Sequence, residues 1–206
     1  ADSISAGYQS KASGNNSIAL GTETLATRQD SFATGYQSKA TGTSSFAIGT
    51  TASSSGVNSF TMGTSSAATA NDAYAFGSAA KAAGKNSVAL GTNASASSTD
   101  SYALGVNSVA SAENSSSFGT FAKATGRNSF SIGLKAEATN SNALAFGVHA
   151  LSSGSSSTAI GTRSISSDLE TVAIGFSADS TSPNAVAAGA HSLASGINSL
   201  AIGTRS

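Results

Sequence analysis

Glycine recurs every 14 residues along the whole chain, and no insertion or deletion breaks the series. A fixed short period is typical of a solenoid, in which each repeat forms one coil stacked on the previous one. Fourteen residues of extended chain span roughly 46 Å, which suits two short strands and two turns but not a helix and a return strand. The period therefore predicts an all-β solenoid of about 14 coils. The anchor glycines are Gly7, Gly21, Gly35, Gly49, Gly63, Gly77, Gly91, Gly105, Gly119, Gly133, Gly147, Gly161, Gly175, Gly189 and Gly203.

The residues before each anchor alternate in size, when each repeat is numbered from its glycine as position 0. Positions −3 and −1 hold large apolar side chains in most repeats, as at Val88 and Leu90, whereas position −2 is always Ala, Ser or Thr. This alternation predicts a β-strand. Positions +3 and +5 are Ala or Ser apart from Thr24, which predicts the inner face of a second strand. We expect the large side chains at −3 and −1 to fill the interior against these small ones.

Position −2 would then point away from the interior of its own coil. Its side chains are never charged or long, and uniformly small residues favour close packing against another chain. So thin a coil also has little core of its own. The sequence therefore predicts self-association through this column. The candidate trimer-interface residues are Ala19, Ala47, Ala89, Ala145 and Ala201.

The turns are indicated by charge, glycine and asparagine. All 20 charged residues lie at positions +2, +4, +7, +8 or +9, which marks these positions as solvent-facing because an unpaired buried charge is very costly. Position +7 is Gly in seven of 14 repeats and position +9 is Asn or Asp in 11 of 14. We expect Gly at +7 to supply positive φ and Asn or Asp at +9 to cap a tight turn. Since +7 also accepts Ala70 and Ser98, Gly84→Ala should cost far less than Gly91→Val.

The candidate ligand surface is the lysine column at +4. Its members are Lys11, Lys39, Lys81 and Lys123. A solvated face that maintains solubility is the alternative. Exposed aromatic residues at +1 and +2 either pack at a chain–chain interface or coil edge, or contact a ligand; these are Tyr8, Tyr36, Phe121 and Phe176.

Composition argues against several function classes. The net charge is zero and there is no basic tract, so neither nucleic acid nor a membrane surface is expected as a partner. The chain has no Cys, and His149 and His191 stand three coils apart, too far to share a metal ion. No nucleophile triad or phosphate loop is present. We therefore expect no catalytic residue, cofactor or metal site.

The repeat resembles the head repeat of YadA-like trimeric autotransporter adhesins. The resemblance covers all 206 residues and rests on motifs such as Asn86-Ser87-Val88-Ala89-Leu90-Gly91 and Asn198-Ser199-Leu200-Ala201-Ile202-Gly203. It implies a left-handed parallel β-roll, a homotrimer, and a head held on a stalk at the Gram-negative cell surface. It also implies binding to extracellular-matrix proteins, collagen above all, and self-association between cells. Asp30, Asp72 and Asp100 replace the motif asparagine, which should leave the fold intact. Heads of the family that this chain resembles differ in ligand, so these departures bear on collagen specificity rather than on the fold.

Two other functions remain open. A passive spacer or fibre segment that displays another domain shares the same sequence signature. Ice binding ranks last, because Thr occupies position +1 in only seven of 15 repeats. Residues 1–206 are predicted to form one repeat domain that enters and leaves mid-repeat, and hence a piece of a longer protein anchored in the outer membrane through other regions.

Overall fold

The computed structural model describes residues 2–206, in which every regular element is a β-strand. Clustering divides the chain into two compact units, unit 1 (Ala1–Val106) and unit 2 (Asn107–Ser206). Each coil contributes a three-residue strand at positions −3 to −1 and a two-residue strand at +4 and +5. The three-residue strands form what we call the long-strand sheet of each unit, and the two-residue strands form its short-strand sheet.

The long-strand sheet of unit 1 consists of β1 (Ile4–Ala6), β3 (Ile18–Leu20), β5 (Phe32–Thr34), β7 (Phe46–Ile48), β9 (Phe60–Met62), β11 (Tyr74–Phe76), β13 (Val88–Leu90) and β15 (Tyr102–Leu104). Its short-strand sheet consists of β2 (Lys11–Ala12), β4 (Leu25–Ala26), β6 (Lys39–Ala40), β8 (Ser53–Ser54), β10 (Ala67–Ala68), β12 (Lys81–Ala82) and β14 (Ser95–Ala96).

In unit 2 the long-strand sheet consists of β17 (Ser116–Phe118), β19 (Phe130–Ile132), β21 (Leu144–Phe146), β23 (Thr158–Ile160), β25 (Val172–Ile174), β27 (Val186–Ala188) and β29 (Leu200–Ile202). The short-strand sheet consists of β16 (Val109–Ala110), β18 (Lys123–Ala124), β20 (Glu137–Ala138), β22 (Leu151–Ser152), β24 (Ile165–Ser166), β26 (Asp179–Ser180) and β28 (Leu193–Ala194).

Neighbouring strands of each sheet are parallel and shifted by one repeat. Tyr74 pairs with Val88 and Phe76 with Leu90, 14 residues on. The hydrogen bonds continue through the turns, since Glu23 N–H donates to the Tyr8 carbonyl at 2.8 Å. Every part of a coil is therefore bonded to the next coil, which explains why no insertion interrupts the period. The predicted parallel β-solenoid of about 14 coils is confirmed.

Small side chains at positions −4, −2, +3 and +5 line the interior of each coil. In unit 1, Ala19 and Ala33 at −2 pack with Ala26 and Ala40 at +5, and all four are fully buried. Clusters of the same kind occupy unit 2. The predicted inward direction of +3 and +5 is confirmed. Thr24 at +3 is likewise fully buried.

The predicted orientation of the long strand is wrong. Ala19, Ala47, Ala89 and Ala145 have no exposed surface within a single chain, and Ala201 is partly buried against the same core in the last strand. Position −2 therefore points inward, and positions −3 and −1 point outward. The physical reason is volume: the narrow space between the two sheets holds Ala, Ser and Thr but has no room for rows of Leu or Phe. The predicted interface alanines are core residues of the single chain.

Both turns of the coil use a left-handed residue, at +2 and at +9, with φ between 51° and 59°. The glycines at +7, by contrast, do not have positive φ, so that expectation is wrong. The turn at +7 to +9 is capped by a buried serine: Ser87 Oγ at −4 donates to the Gly84 carbonyl at 2.6 Å. Asparagine at +9 instead bonds the next coil, as Asn86 Nδ2 donates to Asp100 Oδ1 at 2.9 Å.

The anchor glycines satisfy two demands at once. Gly91 has φ of +132°, and a Cβ built on it would lie 2.6 Å from the Gly105 carbonyl oxygen. Gly21, Gly49 and Gly133 are enclosed in the same way. The expected tolerance of position +7 does not hold at Gly84, where a Cβ would lie 1.8 Å from the Ser98 carbonyl oxygen. Gly84 is required for close approach rather than for its φ.

Four buried serine hydroxyls lack a hydrogen-bond partner among the described residues, and they give a prediction about the core. Ser131 is one of them, at position −2, where most coils have Ala. A buried unpaired hydroxyl costs about 1–3 kcal/mol. Ser131→Ala should therefore stabilise the fold by about 1 kcal/mol, which raises Tm by about 2–4 °C in thermal unfolding.

Ser157→Ala is the matched control. Ser157 is equally buried, but its Oγ donates to the Gly154 carbonyl at 2.7 Å. Its removal should lower Tm, since it takes away a satisfied bond. Tm losses of the same size in both variants would contradict this account of the core.

Candidate functional site

The outer face of the long-strand sheet is apolar and carries no charge in either unit. We call the residues at −3 and −1 the apolar face. Leu90 is 46% exposed and Phe146 is 49% exposed, although both belong to well-ordered strands. Contiguous exposed apolar area of this kind marks an interaction surface. Other large members that are exposed include Phe46, Met62, Tyr74, Tyr102, Phe130 and Ile174.

Aromatic rings stack on this face from coil to coil. In unit 1 the centroids of Phe32 and Phe46 are 6.0 Å apart, and those of Phe46 and Phe60 are 5.7 Å apart. In unit 2, Phe118 and Phe130 are 5.4 Å apart. Ring contacts at this separation are favourable and hold the side chains in fixed positions. The aromatic side chains of the apolar face therefore contact one another from coil to coil.

The outer face of the short-strand sheet mixes charged residues and hydroxyls with aliphatic residues such as Leu25, Leu151 and Leu193. Lys11, Lys39, Lys81 and Lys123 all project from it and are exposed, as the sequence predicted. Lys123 bonds Glu137 in the next coil at 3.0 Å, whereas the first three have no ion pair among residues 2–206. Position +6, beside the lysine column, is Ser or Thr in every coil except at Ala83. This face therefore offers cations and hydroxyls to solvent.

A shallow groove separates the +4 column from the +2 column at the adjacent turn. In unit 1 it is lined by Glu23, Leu25, Gln37 and Lys39, and Gln37 Nε2 donates to Glu23 Oε2 at 2.6 Å. In unit 2 the equivalent groove is lined by His149, Leu151, Arg163 and Ile165. The side chains at +2 therefore lie on the same side of the coil as the short-strand sheet, away from the apolar face.

Asp179 is the one acidic residue of the +4 column without an ion pair within residues 2–206. Its ladder neighbours are Ile165 and Leu193, and its Oδ1 is buried without a hydrogen-bond partner. Burial raises the pKa of this carboxyl, since the apolar neighbours disfavour the ionised form.

The remaining sequence candidates are spread along the surface. Tyr8, Tyr36, Phe121 and Phe176 are all exposed, and the Phe176 ring contacts the edge of His191 at 5.2 Å. Among residues 2–206, no three His, Cys, Asp or Glu side chains lie close enough to hold a metal ion. Within the same range, no helix has the length and apolarity needed to cross a membrane.

The family model of the YadA head domain repeat, which spans two copies of the repeat, matches eight segments that together cover almost the entire chain. The matched segments are residues 1–24, 26–52, 40–66, 68–94, 96–122, 124–150, 152–178 and 180–206. The chain belongs to the YadA head domain family. Membership in the YadA head family implies an adhesin-type function at the bacterial surface. No individual characterised protein showed significant sequence similarity.

Within this YadA head, the predicted exposure of the lysine column is confirmed, its role as a ligand surface stays a prediction, and two features differ from the sequence-based expectations. The apolar face was assigned to the interior, because alternation defines two faces of a strand without saying which one is inside. The other feature is the concentration of basic residues at +2 in unit 2. Its sequence signal is the position of Lys135, Arg163 and Arg205 in one column of one unit.

Proposed function

We propose that this YadA head is the ligand-binding part of a trimeric surface adhesin. Three copies associate through the apolar face, and the short-strand sheets remain outward. The outward face binds an extracellular-matrix protein of the collagen type, or a head on a neighbouring cell. Other regions of the protein anchor it in the outer membrane of a Gram-negative bacterium.

The observation that carries this proposal is the contrast between the two outer faces of the coil. None of the 20 charged residues lies at −3, −2 or −1, whereas the lysine column and the hydroxyls occupy the opposite sheet. A face of exposed Leu, Phe and Met gains free energy by leaving water, at about 25 cal/mol per Å². A charge-free apolar face opposite a face that carries the charges and hydroxyls suits an assembly with an inside and an outside.

The number three is supported by the family. Contacts between copies of one chain form a closed ring when the rotation between neighbours closes, and three copies satisfy that condition at about 120° each. The small −2 residues, which are core, have no part in this contact. Lys39 and Lys81 lie on the other sheet and stay accessible in such an assembly.

Solid-phase binding to collagens, fibronectin and laminin tests the adhesive function. The variant Lys39→Gln/Lys81→Gln should lose about tenfold in affinity for the bound matrix protein, because two exposed cations leave the outward face. The control Arg28→Gln/Lys85→Gln removes the same charge from the turn at the far end of the coil and should bind normally. Failure of the unmodified head to bind any of these proteins would favour the passive spacer instead.

A further inference from the structure

Unit 2 carries a row of basic residues at position +2, in which the positively charged Lys135, Arg163 and Arg205 alternate with two histidines. We call this row the basic ridge: Lys135, His149, Arg163, His191 and Arg205. All five are exposed. Ser177 is the only interruption between Lys135 and Arg205. The same column in unit 1 has no cation and includes Glu23. The ridge is therefore a local feature, and not a property of the repeat.

The backbone holds the ridge in a straight row. Each member has φ between 55° and 59°. His149 N–H donates to the Leu134 carbonyl and Arg163 N–H to the Val148 carbonyl, both at 2.9 Å. At about 4.8 Å per coil, Arg163 lies roughly 10 Å from Lys135 along the sheet, with His149 between them. Because the fold fixes the spacing of the backbone positions, little conformational entropy of the backbone is lost when a ligand binds.

The ridge is also poorly neutralised. Unit 2 has five carboxylates and five Lys or Arg residues, so the ridge reflects segregation of charge within the unit. Only Glu137 and Asp179 are acidic on the adjoining +4 column. Glu137 bonds Lys123 at 3.0 Å, and burial raises the pKa of Asp179. No ridge cation has an ion pair among residues 2–206.

We propose that the basic ridge binds a linear sulfated polysaccharide, which would be one ligand class of the adhesin proposed above. A straight row of cations matches a stretched polyanion better than a compact anion. The guanidinium of Arg163 can donate two hydrogen bonds to one sulfate group. Leu151 and Ile165 line the groove beside it and offer an apolar floor to the C–H faces of sugar rings.

The groove lining favours a polysaccharide over a single-stranded nucleic acid. Nucleic-acid channels combine cations with aromatic platforms on which successive bases stack. Between Lys135 and Ile165 the groove is lined by His149, Leu151, Arg163 and Ile165, without Phe, Tyr or Trp at +2 or +4. Phe176 contacts His191 farther along the ridge, but a single ring does not form a platform for successive bases. Because the ridge lies beside the short-strand sheet, association through the apolar face leaves it open.

Binding of the purified chain to immobilised heparin in about 0.15 M salt tests the proposal. The variant Lys135→Gln/Arg163→Gln should bind about tenfold more weakly. Its fold is expected to persist, since Gln9 and Gln37 already occupy the same column with the same φ. Circular dichroism and Tm check this.

The control Arg28→Gln/Lys85→Gln loses the same charge from the opposite turn and should keep its affinity within about twofold. Desulfated heparin should bind poorly to all three proteins. Equal losses in both variants, equal binding of desulfated heparin, or preference for a single-stranded oligonucleotide would overturn the proposal, as would no heparin binding at all. Heparin binding without matrix-protein binding would retain the ridge and refute matrix adhesion, so the two failures are distinguishable.

Discussion

Gly91→Val is expected to unfold the coils around it and to lower the stability of the chain by about 4 kcal/mol or more. Two penalties combine at this position. Gly91 has φ of +132°, which a β-branched residue rarely adopts. The added Cβ would also lie 2.6 Å from the Gly105 oxygen and 2.7 Å from the Gly105 carbonyl carbon. Thermal unfolding followed by circular dichroism near 218 nm would measure the loss.

Two other glycines separate the penalties. Gly203 has φ of +121°, but the nearest atom to its Cβ would be 4.0 Å away, so Gly203→Val tests the backbone strain alone. Gly196 lacks positive φ, and its Cβ would meet Ser199 at 3.5 Å, so Gly196→Val tests neither penalty. We expect the loss of Tm to follow the order Gly91, Gly203, Gly196. If Gly91→Val melted within a degree or two of Gly196→Val, the steric account of the anchors would be wrong.

Leu90→Glu is expected to convert the proposed trimer into folded monomers. Leu90 lies on the apolar face, paired with Phe76 and Leu104 in the adjacent coils, and is 46% exposed in the single chain. A carboxylate there is tolerated by the monomer but would be desolvated in the interface, at a cost of several kcal/mol per copy. Light scattering should report the mass of one chain, with an unchanged β-sheet spectrum.

Two comparison variants, Lys81→Glu and Ala89→Glu, make the result specific to the apolar face. Lys81→Glu, on the short-strand sheet, should leave the assembled mass unchanged. Ala89→Glu should instead unfold the coil, because Ala89 is fully buried between the two sheets. A full-size trimer from Leu90→Glu would show that the apolar face is not the contact. So would a monomeric unmodified head that shows no association at any concentration.

The fold was predictable from the period, because similar short repeats without insertions bury their apolar surface by stacking on one another as a solenoid. The inward direction of +3 and +5 was predictable as well, since Ala80 and Ala82 flank the charged Lys81. The direction of −2 was not, because Val88-Ala89-Leu90 alternates equally well either way. The constraint that decides the orientation is the short distance between the two sheets. It leaves room for Ala89 inside and places Leu90 outside.

A different sequence signal would have given the right orientation. Small residues at −4 and −2 lie seven positions from those at +3 and +5, so the 14-residue repeat is two similar halves. Ser87 and Ala89 in one half correspond to Ala94 and Ala96 in the other, and all four are buried. Because +3 and +5 point inward, the correspondence between the two halves indicates that −4 and −2 point inward as well. The ligand surface is less predictable, since exposed charge indicates accessibility without naming a partner.

Turn-to-turn hydrogen bonds restrict how heads of this kind can change in evolution. Asp30 N–H bonds the Asn15 carbonyl, and Gln37 N–H bonds the Thr22 carbonyl, so even the corners are in register with the coil before. A single inserted residue would break that register at two junctions, whereas duplication or loss of a whole repeat preserves every bond. Recombination between repeats can therefore adjust the reach of such an adhesin in steps of one coil, about 4.8 Å each, without redesigning any contact.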